Sequence, residues 1–577
     1  MFQKDGCVMK RRCKERVLSI LIPGTLLLIL QMSQPVHSGS QQEVQMADVI
    51  LLNGKIHTMD VKQPLAEAIA IHEDRILFVG SESEAKRRQA SHTRLIDLQG
   101  QTIVPGLIDA HAHFLSLGRT LQNLDLVGTS SAEEIRSLVI ERCQSVAPGT
   151  WIYGRGWDQN DWAEKRFPTW RDLSGTETNP VYLSRIAGHS YWLNRTALQM
   201  AGITRDTPDP EGGRIVRDEG GEPTGILIDN ALLLIDDVVP DPTYDELVER
   251  ALLAQQECLR FGLTGIGDAG IDSAMIEVYK DLFEDGRLQI RIYAMLDSDR
   301  IPLDDYYRIG PQVGLFRDHL TLRSIKMYAD GALGSRGAAL MEPYSDDPEN
   351  RGLITAREEE IYAVCLKALE HGFQVCTHAI GDRANRIVLS AYEQALEEHP
   401  VDDHRFRIEH AQIVSLDDIP RFARSGIIPS MQPTHATSDM YWAEERVGPE
   451  RIKGGYAWRS LLDTGARIPF GSDFPVESPN PLWGIYAAVT RQDHSGWPEG
   501  GWYPEQKLTI PEAVRGFTLE AAYGAFEEEI KGSLEAGKLA DMVVLSKDIF
   551  TVPPREILST EVVMTIIGGE VVYEMGK

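Results

Sequence analysis

The middle of the 577-residue chain repeats one pattern, an apolar strand-like run that ends in polar or glycine-containing residues. Helical stretches, such as 358–371 and 382–399, separate most of these runs, so strand and helix alternate. The runs are Ile103–His113, Leu263–Ala269, Ile290–Leu296, Leu322–Asp330, Phe373–Ile380, Phe406–Gln412, Ile427–Pro433 and Arg467–Phe474. Eight such repeats are the number that closes a parallel barrel, and an open doubly wound sheet is the alternative. The sequence therefore predicts an α/β fold with a (β/α)8 TIM-like barrel over residues 103–531.

The interval between the first and second runs is far longer than the others. Residues 114–262 exceed what a single crossover helix requires, and they are rich in tryptophan, glycine and aspartate. We therefore expect a large insertion after the first strand, an inserted subdomain at about residues 117–239 that lies over the barrel mouth.

Short strands with alternating apolar and polar residues occur at both ends of the chain. They cover residues 48–98, with a turn at Asn53–Gly54, and residues 540–573. The economical interpretation is one small β-sandwich domain built from both chain ends, residues 39–102 and 532–577, with the barrel between them.

The first 38 residues have the layout of a secretory signal peptide. Basic residues between Lys4 and Arg16 precede an apolar run from Val17 to Leu30, and a polar segment with small residues follows. The run is short for a membrane span, which needs about 20 apolar residues. We expect an exported protein, periplasmic or extracellular, that is not inserted in a membrane once residues 1–38 are cleaved. The alternative is a protein anchored to the membrane by an uncleaved N-terminal segment.

The charge balance bears on possible partners. The chain has 58 Lys and Arg residues against 86 Asp and Glu residues, a formal net charge of -28. Such a chain repels phosphate backbones, so we expect no nucleic-acid partner. Cleavage after residue 38 would leave four cysteines without a recognisable spacing, and their disulfide status stays open: Cys143, Cys258, Cys365 and Cys376.

Ligand-type side chains stand at the ends of five of the predicted barrel strands. In the segment Asp109–His113, His111 and His113 are two residues apart, which points both imidazoles to one face of a strand. Other strand ends hold Lys326, His378, His410 and Asp473. Each histidine alone is more simply explained as a hydrogen-bonded structural residue. Because the carboxyl ends of barrel strands meet at one face, the whole set predicts a metal site.

These same residues resemble the motifs of the amidohydrolase superfamily. The resemblance extends to the YtcJ-like branch, amidohydrolase family 3, which includes N-substituted formamide deformylases. It covers the chain from about Ala47 to the end. The matching stretches are Pro105–His113, Gly188–Asn194, Lys326–Arg336, His378–Ala384, Arg407–Gln412, Gly471–Val476 and Gly532–Val544.

The resemblance implies a divalent metal cofactor, one or two ions, usually zinc. It assigns His111, His113 and Asp473 to a first ion and His378 and His410 to a second. Lys326 would bridge both ions as a carbamate formed with CO2. The alternatives for Lys326 are an ion pair with Asp330 and a site with a single metal.

The activity that follows is hydrolysis of a C–N, amide-like bond in a small molecule by a metal-activated hydroxide. Asp473 would orient the water, take its proton and pass it to the leaving nitrogen. The alternatives are a deaminase or another metal-assisted hydrolase on the same scaffold, and a non-catalytic exported protein that binds or regulates. No Gly-x-Ser-x-Gly nucleophile motif is present.

Three further residues are predicted to contact substrate: Trp157, His189 and Asp330. The tryptophans of the insertion have a competing explanation, because they could form the core of that subdomain. Asp330 could instead brace loops. A homodimer is left open.

Overall fold

The structure is a computed structural model that describes residues 45–185, 190–210, 213–236 and 238–577. The signal peptide predicted for residues 1–38 lies outside these ranges. Within them, no helix has the length and apolar character needed to cross a bilayer.

The strands of the described residues are numbered in chain order. They are β1 (Ala47–Leu52), β2 (Lys55–His57), β3 (Leu65–Ala66), β4 (Ala68–His72), β5 (Arg75–Gly80), β6 (Gln89–Asp97), β7 (Thr102–Pro105), β8 (Leu107–Ala112), β9 (Leu124–Asp125), β10 (Ile152–Trp157), β11 (Val181–Arg185), β12 (Ser190–Leu193), β13 (Gly213–Arg217), β14 (Pro223–Asp229), β15 (Leu263–Ile271), β16 (Arg291–Asp297), β17 (Gln312–Gly314), β18 (Leu320–Tyr328), β19 (Gln374–Ala379), β20 (Arg407–His410), β21 (Ile428–Ser430), β22 (Met542–Leu545), β23 (Val562–Ile567) and β24 (Glu570–Glu574).

The α-helices are numbered in the same way. They are α1 (Glu82–Lys86), α2 (Phe114–Gln122), α3 (Ala132–Ser145), α4 (Arg195–Met200), α5 (Leu233–Asp236), α6 (Tyr244–Arg260), α7 (Ser273–Glu284), α8 (Leu303–Ile309), α9 (Leu315–Asp318), α10 (Glu358–His371), α11 (Asp382–Glu398), α12 (Ile419–Ser425), α13 (Pro433–Asp439), α14 (Ala443–Arg451), α15 (Trp458–Asp463), α16 (Pro481–Thr490), α17 (Ile510–Gly516) and α18 (Leu519–Gly524).

Seven parallel strands form a nearly closed barrel in the order β8, β15, β16, β18, β19, β20, β21. Every residue of β16 and of β20 is buried, as expected for parallel strands covered on both faces. The predicted α/β barrel fold is confirmed.

The eighth predicted run closes the barrel without being a regular strand. On one side the Gly471 N–H donates to the carbonyl of Met431, at 3.0 Å. On the other, the Ala110 N–H donates to the carbonyl of Phe470, at 2.9 Å. Residue Asp473 has φ of 60°, outside the extended region, so the segment cannot continue as a strand.

Helices α2 and α6 approach each other closely at Gly118. A Cβ atom at this position would lie 2.0 Å from the carbonyl oxygen of Arg250. Only glycine therefore allows the two helices to pack at this distance. The contact places residue 119 of α2 next to residue 250 of α6.

A six-stranded sheet falls between β8 and β15 in the chain, in the order β13, β14, β12, β11, β10, β9. Its two faces have separate apolar cores. One core contains Trp157, Trp162 and Trp192, whose rings lie 6.0 to 6.4 Å apart. The tryptophan-rich insertion thus buries its aromatic rings in its own interior.

Strands from the two ends of the chain share a sheet. Strand β22 runs antiparallel to β7, with Val543 opposite Val104. This sheet, in the order β24, β23, β22, β7, β2, β3, packs against a second sheet in the order β5, β4, β1, β6. The two share a buried core that includes Ile71, Ile103 and Val544, which makes a β-sandwich.

A buried ion pair ties the C-terminal strands to the barrel. Arg291, at the start of β16, donates to both carboxylate oxygens of Asp541, at 2.7 and 2.9 Å. The side chains are only 2% and 4% exposed. Although burial alone would raise it, the Arg291 charge holds the pKa of the Asp541 carboxyl below its ordinary value.

We predict that Asp541→Ala destabilises the protein by about 3–5 kcal/mol, because it leaves the Arg291 guanidinium buried and unpaired. The matched control is Asp305→Ala, which removes a pair with Arg308 whose side chains are 56% and 75% exposed. This change should cost less than about 1 kcal/mol. Urea midpoints of the two variants provide the comparison, and equal shifts would contradict the role given to Asp541.

Candidate metal centre

The structure brings the six predicted ligand residues to one end of the barrel. They are His111 at the end of β8, His113 just after it, Lys326 in β18, His378 in β19, His410 at the end of β20, and Asp473 in the closing segment. Because the barrel strands are parallel, their carboxyl ends share one face.

The side chains of His111 and His113 both approach one carboxylate oxygen of Asp473. His113 Nε2 lies 3.1 Å from Asp473 Oδ1, and His111 Nε2 lies 3.6 Å from the same oxygen. Lys326 Nζ lies 3.5 Å from His111 Nε2. The Lys326 and His111 side chains are almost completely buried.

The other histidines adjoin this group. The ring centroids of His378 and His410 are 4.6 Å apart, and those of His111 and His410 are 4.8 Å apart. His435, in α13, stacks on His410 at 6.1 Å and points Nε2 to within 3.8 Å of Asp473 Oδ2. Two groups, His111–His113–Asp473 and His410–His435–Asp473, each place their candidate ligand atoms within 4.8 Å of one another.

The ring nitrogens that face away from the cluster are fixed by acceptors. His111 Nδ1 donates to Glu409 Oε2 at 2.6 Å, and His410 Nδ1 donates to Gln432 Oε1 at 2.8 Å. His113 Nδ1 donates to the carbonyl of Ala269 at 2.9 Å. A histidine that donates through one nitrogen presents the lone pair of the other, which is the arrangement of metal-binding histidines.

The Glu409 carboxylate that orients His111 is itself held by Arg407. The guanidinium donates to both Glu409 oxygens, at 2.7 and 3.0 Å, and both side chains are buried. Burial would raise the pKa of Glu409, but Arg407 and then His111 hold it well below its ordinary value. Glu409 is therefore an anion that fixes the orientation of the His111 ring.

Burial disfavours the charged forms of His111 and Lys326. It lowers the pKa of His111 to about 4, with the Lys326 charge as the next cause. Burial likewise lowers the pKa of the Lys326 ammonium group. A neutral imidazole is the form that binds a metal ion.

The donor set fits a divalent cation because it leaves buried polar atoms without partners. His378 Nε2, His435 Nε2 and Asp473 Oδ1 are buried and form no hydrogen bond. With its N–H committed to Ala269, His113 turns a lone pair toward Asp473 Oδ1, so two acceptors face each other. Unsatisfied buried groups of this kind are rare, and a cation between them would satisfy both.

Three residues of this site have strained backbone. His410 and Ala411 have φ of 74° and 42°, and Asp473 has φ of 60°. Residues other than glycine seldom adopt this left-handed region, which costs on the order of 1–3 kcal/mol for each residue. Two of the three strained residues carry candidate ligands, so the fold holds them there against local preference.

The residues predicted to contact substrate have different positions. Trp157 is wholly buried in the core of the inserted sheet, where its indole N–H donates to the carbonyl of Leu183 at 2.9 Å. Its assignment to the substrate cleft is therefore corrected to a core role, because the side chain has no free surface. His189 lies outside the described residues.

Asp330 lies next to the cluster but is used for bracing. Its carboxylate accepts from the backbone N–H groups of Ala339, Ile380 and Gly381, at 2.8 to 2.9 Å. Asp330 Oδ1 lies 3.5 Å from His378 Nε2. Asp330 and Lys326, both described by the structure, do not form an ion pair. Asp330 thus fixes the loop after β19 and touches a predicted ligand.

Sequence reasoning missed His435, Gln432 and the ring-orienting role of Glu409. Gln432 lies within the seventh predicted run, and His435 follows that run by two residues. The rule that barrel strand ends carry the site would have pointed to both. Glu409 precedes His410 by one residue, and regular alternation along a strand would place its side chain on the opposite face. The left-handed backbone of His410 removes that expectation.

We predict that Gln432→Ala weakens metal binding by about 10- to 100-fold, because it removes the acceptor that orients the His410 ring. Competition with a chelator of known affinity measures the change directly. Gln289→Ala, which alters an exposed glutamine, is the matched control. Unchanged affinity in the Gln432 variant would show that this hydrogen bond does not prepare a ligand.

Comparisons with known proteins agree with this geometry. A model described as "Amidohydrolase family" matches residues 94–573. The chain is 35% identical to the putative amidohydrolase YtcJ of Bacillus subtilis, over 90% of this chain and 98% of that protein. It is 28% identical to N-substituted formamide deformylase of Arthrobacter pascens, over 92% and 99% of the two chains. The crystal structure of an uncharacterized metal-dependent hydrolase from Pyrococcus furiosus matches with a TM-score of 0.74 and 29% identity, over 87% of this chain and 100% of that one. The chain therefore belongs to the amidohydrolase family and is a metal-dependent hydrolase.

Proposed function

We propose that this hydrolase cuts a carbon–nitrogen, amide-like bond of a small molecule, and that its metal is zinc. The observation that carries the proposal is the meeting of His111, His113 and Asp473 at one end of the barrel, with unsatisfied donor atoms. Imidazole and carboxylate ligands are typical of catalytic zinc. A relative named for deformylating N-substituted formamides, similar over 92% of this chain, supports the bond type.

Five side chains and one modified lysine would hold the metal. His111, His113 and Asp473 are proposed for a first ion, and His378 and His410 for a second. Lys326 is proposed to bridge them as a carbamate. Its burial supports this, since it lies 1% exposed, has a lowered pKa and forms no ion pair with any described carboxylate. A free amine is the form that reacts with CO2.

When bound, the metal supplies a Lewis acid that polarises the carbonyl and lowers the pKa of water to about 7. The protein directs the remaining proton transfers. Asp473 Oδ1 accepts the proton of the attacking water and returns it to the nitrogen of the leaving amine. Water adds across the C–N bond, so the carbonyl carbon leaves as a carboxylic acid and the nitrogen as an amine.

Export is a separate proposal that rests on the sequence alone. We propose that residues 1–38 direct secretion, on the strength of their basic and apolar pattern. A mass measurement of the N-terminus of the protein recovered from its source would show whether this segment is removed.

We predict that zinc-loaded protein hydrolyses members of a panel of N-formyl, N-acyl and cyclic amides. Each turnover of an N-formyl or N-acyl amide should release one carboxylate and one amine, and each turnover of a cyclic amide should release one ring-opened amino acid. Mass spectrometry detects these products. Asp473→Asn should lower kcat by about 100-fold or more, because the variant loses both a ligand and the proton acceptor. Asp402→Asn, at an exposed position, serves as the matched control and should retain full activity.

The products separate this proposal from its alternatives. Release of ammonia from a ring amidine, with no carboxylate formed, would assign the site to deamination instead. Protein that holds less than one equivalent of metal after purification and reconstitution would support a non-catalytic role and would contradict the proposal.

We predict that Lys326 carries a carbamate in metal-loaded protein. Reconstitution with 13C-bicarbonate should give a carbamate carbon signal by NMR, which Lys326→Ala removes and the exposed-site control Lys453→Ala retains. The Lys326 variant should also bind less metal. A fully metallated wild-type protein without this signal would rule out the bridging carbamate.

A further inference from the structure

A cavity of about 650 Å³ opens beside the metal centre. His113, Tyr328, Arg119 and Arg250 are among the residues that line it. A second cavity of about 260 Å³ also contacts both arginines and adds Tyr153 and Tyr182. The two arginines therefore stand where the two cavities adjoin.

The packing of α2 on α6 sets the positions of these arginines. Arg119 follows Gly118, the residue that lies against the backbone of Arg250. The Arg119 guanidinium stacks over the ring of Tyr153 in the inserted sheet, 5.7 Å from its centroid. Arg250 Nε donates to Gln122 Oε1 at 3.0 Å. Both side chains are held by neutral groups.

Neither arginine forms an ion pair with a carboxylate of the residues that the structure describes. Among the described residues, no Asp or Glu oxygen lies within 4.0 Å of either guanidinium, whereas most arginines of this acidic chain form such pairs. Burial first, and then the positive charge of Arg119, lower the pKa of Arg250. Two like charges thus lie close together at a cavity wall, which is unfavourable without an anion.

Most aspartates of the same cavity are already engaged. Asp268 accepts from the Phe114 N–H at 2.8 Å and from the Tyr279 hydroxyl at 2.6 Å. Asp272 caps α7 by accepting from the Met275 N–H. Asp297 accepts from the Asp299 N–H and lies 3.8 Å from Arg300 Nε. Each of these three carboxylates has partners of its own, and none of the three pairs with Arg119 or Arg250.

We infer that Arg119 and Arg250 form a carboxylate-binding subsite, and that the substrate is an amide that also carries a carboxylate. This inference rests on the proposed amide hydrolysis, since it names the substrate class for that site. Guanidinium groups bind carboxylates through paired, charge-assisted hydrogen bonds. The NH2 groups of both arginines remain available for such contacts.

The helix itself gives the spacing between the two ends of such a substrate. His113 directly precedes α2 and Arg119 lies six residues later, so their backbones are about 9 Å apart along the axis. The geometry favours a carboxylate separated from the amide by several bonds.

The local charge favours a monoanion. Glu246, one helix turn before Arg250, and Glu249, the residue directly before it, both act on the Arg250 charge. Asp241 lines both cavities. A single negative charge would balance the arginine pair in this setting. A phosphate dianion would add negative charge beside these acidic groups and beside Asp473.

The test uses three acids: N-acetylglycine, N-acetyl-4-aminobutanoate and N-acetyl-6-aminohexanoate. Each acid is compared with a neutral analogue in which a carboxamide replaces the carboxylate. Zinc-loaded wild-type protein should favour a longer acid over its carboxamide by about 10- to 100-fold in kcat/KM. The double variant Arg119→Gln/Arg250→Gln should lose this preference for the acid over its carboxamide. Arg308→Gln, at an exposed position on α8, is the matched control and should retain it.

Calorimetric binding to Asp473→Asn protein provides a readout that does not need turnover. There the acids should bind about 10-fold or more tightly than the carboxamides, and the two arginine substitutions should abolish the difference. The variant Arg119→Lys/Arg250→Lys should fold normally, which circular dichroism would check. It should regain part of the preference for acids over carboxamides.

The outcomes separate the two proposals. If nothing is hydrolysed but acid binding depends on the arginines, the subsite stands and amide hydrolysis fails. If acids and carboxamides are hydrolysed equally, amide hydrolysis stands and the subsite is overturned. Absence of binding by every acid also overturns the subsite.

Discussion

The metal centre depends on one buried carboxylate that joins the first and last segments of the barrel. Asp109 accepts from the Ser472 hydroxyl at 2.6 Å, from the Ser472 N–H at 3.0 Å and from the His111 N–H at 3.1 Å. Gly471 permits this approach, because a Cβ there would lie 2.6 Å from Asp109 Oδ1. These bonds fix Asp473 beside His111 and His113. The barrel closure and the ligand geometry therefore have one common cause.

Charged groups around the centre lie deep in the protein, where each must be compensated. Arg407 and Glu409 are both buried, and their mutual hydrogen bonds offset the cost of removing them from water. Burial raises the pKa of Asp109 to about 7, which shows how strongly this environment disfavours an uncompensated anion. Burial alone would raise the pKa of Asp473, but the neighbouring histidines, His113 first, hold it well below its ordinary value. A bound cation extends the same balance, which is why the arrangement suits metal-dependent hydrolysis.

Sequence patterns predicted the features that repeat, and missed those that depend on three-dimensional contact. Eight apolar runs predicted the barrel. Because the carboxyl ends of barrel strands lie at one face, the sequence also predicted that six candidate ligand residues lie close together. Periodicity could not show that the eighth run is irregular, because the left-handed backbone at Asp473 arises from the bonds to Asp109. It also could not place Trp157, since a tryptophan-rich insertion fits a cleft lining and a core equally well. Glu409 and Gln432 orient histidine rings through contacts between different strands. The residue pattern within a single strand cannot predict such contacts.

The structure divides chemistry and selectivity between different elements. The barrel strands present the metal ligands, and their positions follow from the closed ring of parallel strands. The cavity beside them is bounded by helices and strand ends of the barrel. The smaller cavity that shares Arg119 and Arg250 is bounded by the inserted sheet, which supplies Tyr153 beneath Arg119. Changes in the insertion can therefore alter which molecule is held without moving the ligands. The same arrangement of metal ligands can serve different substrates. The charge of Arg119 and Arg250 therefore bears on substrate selectivity more directly than the metal site does.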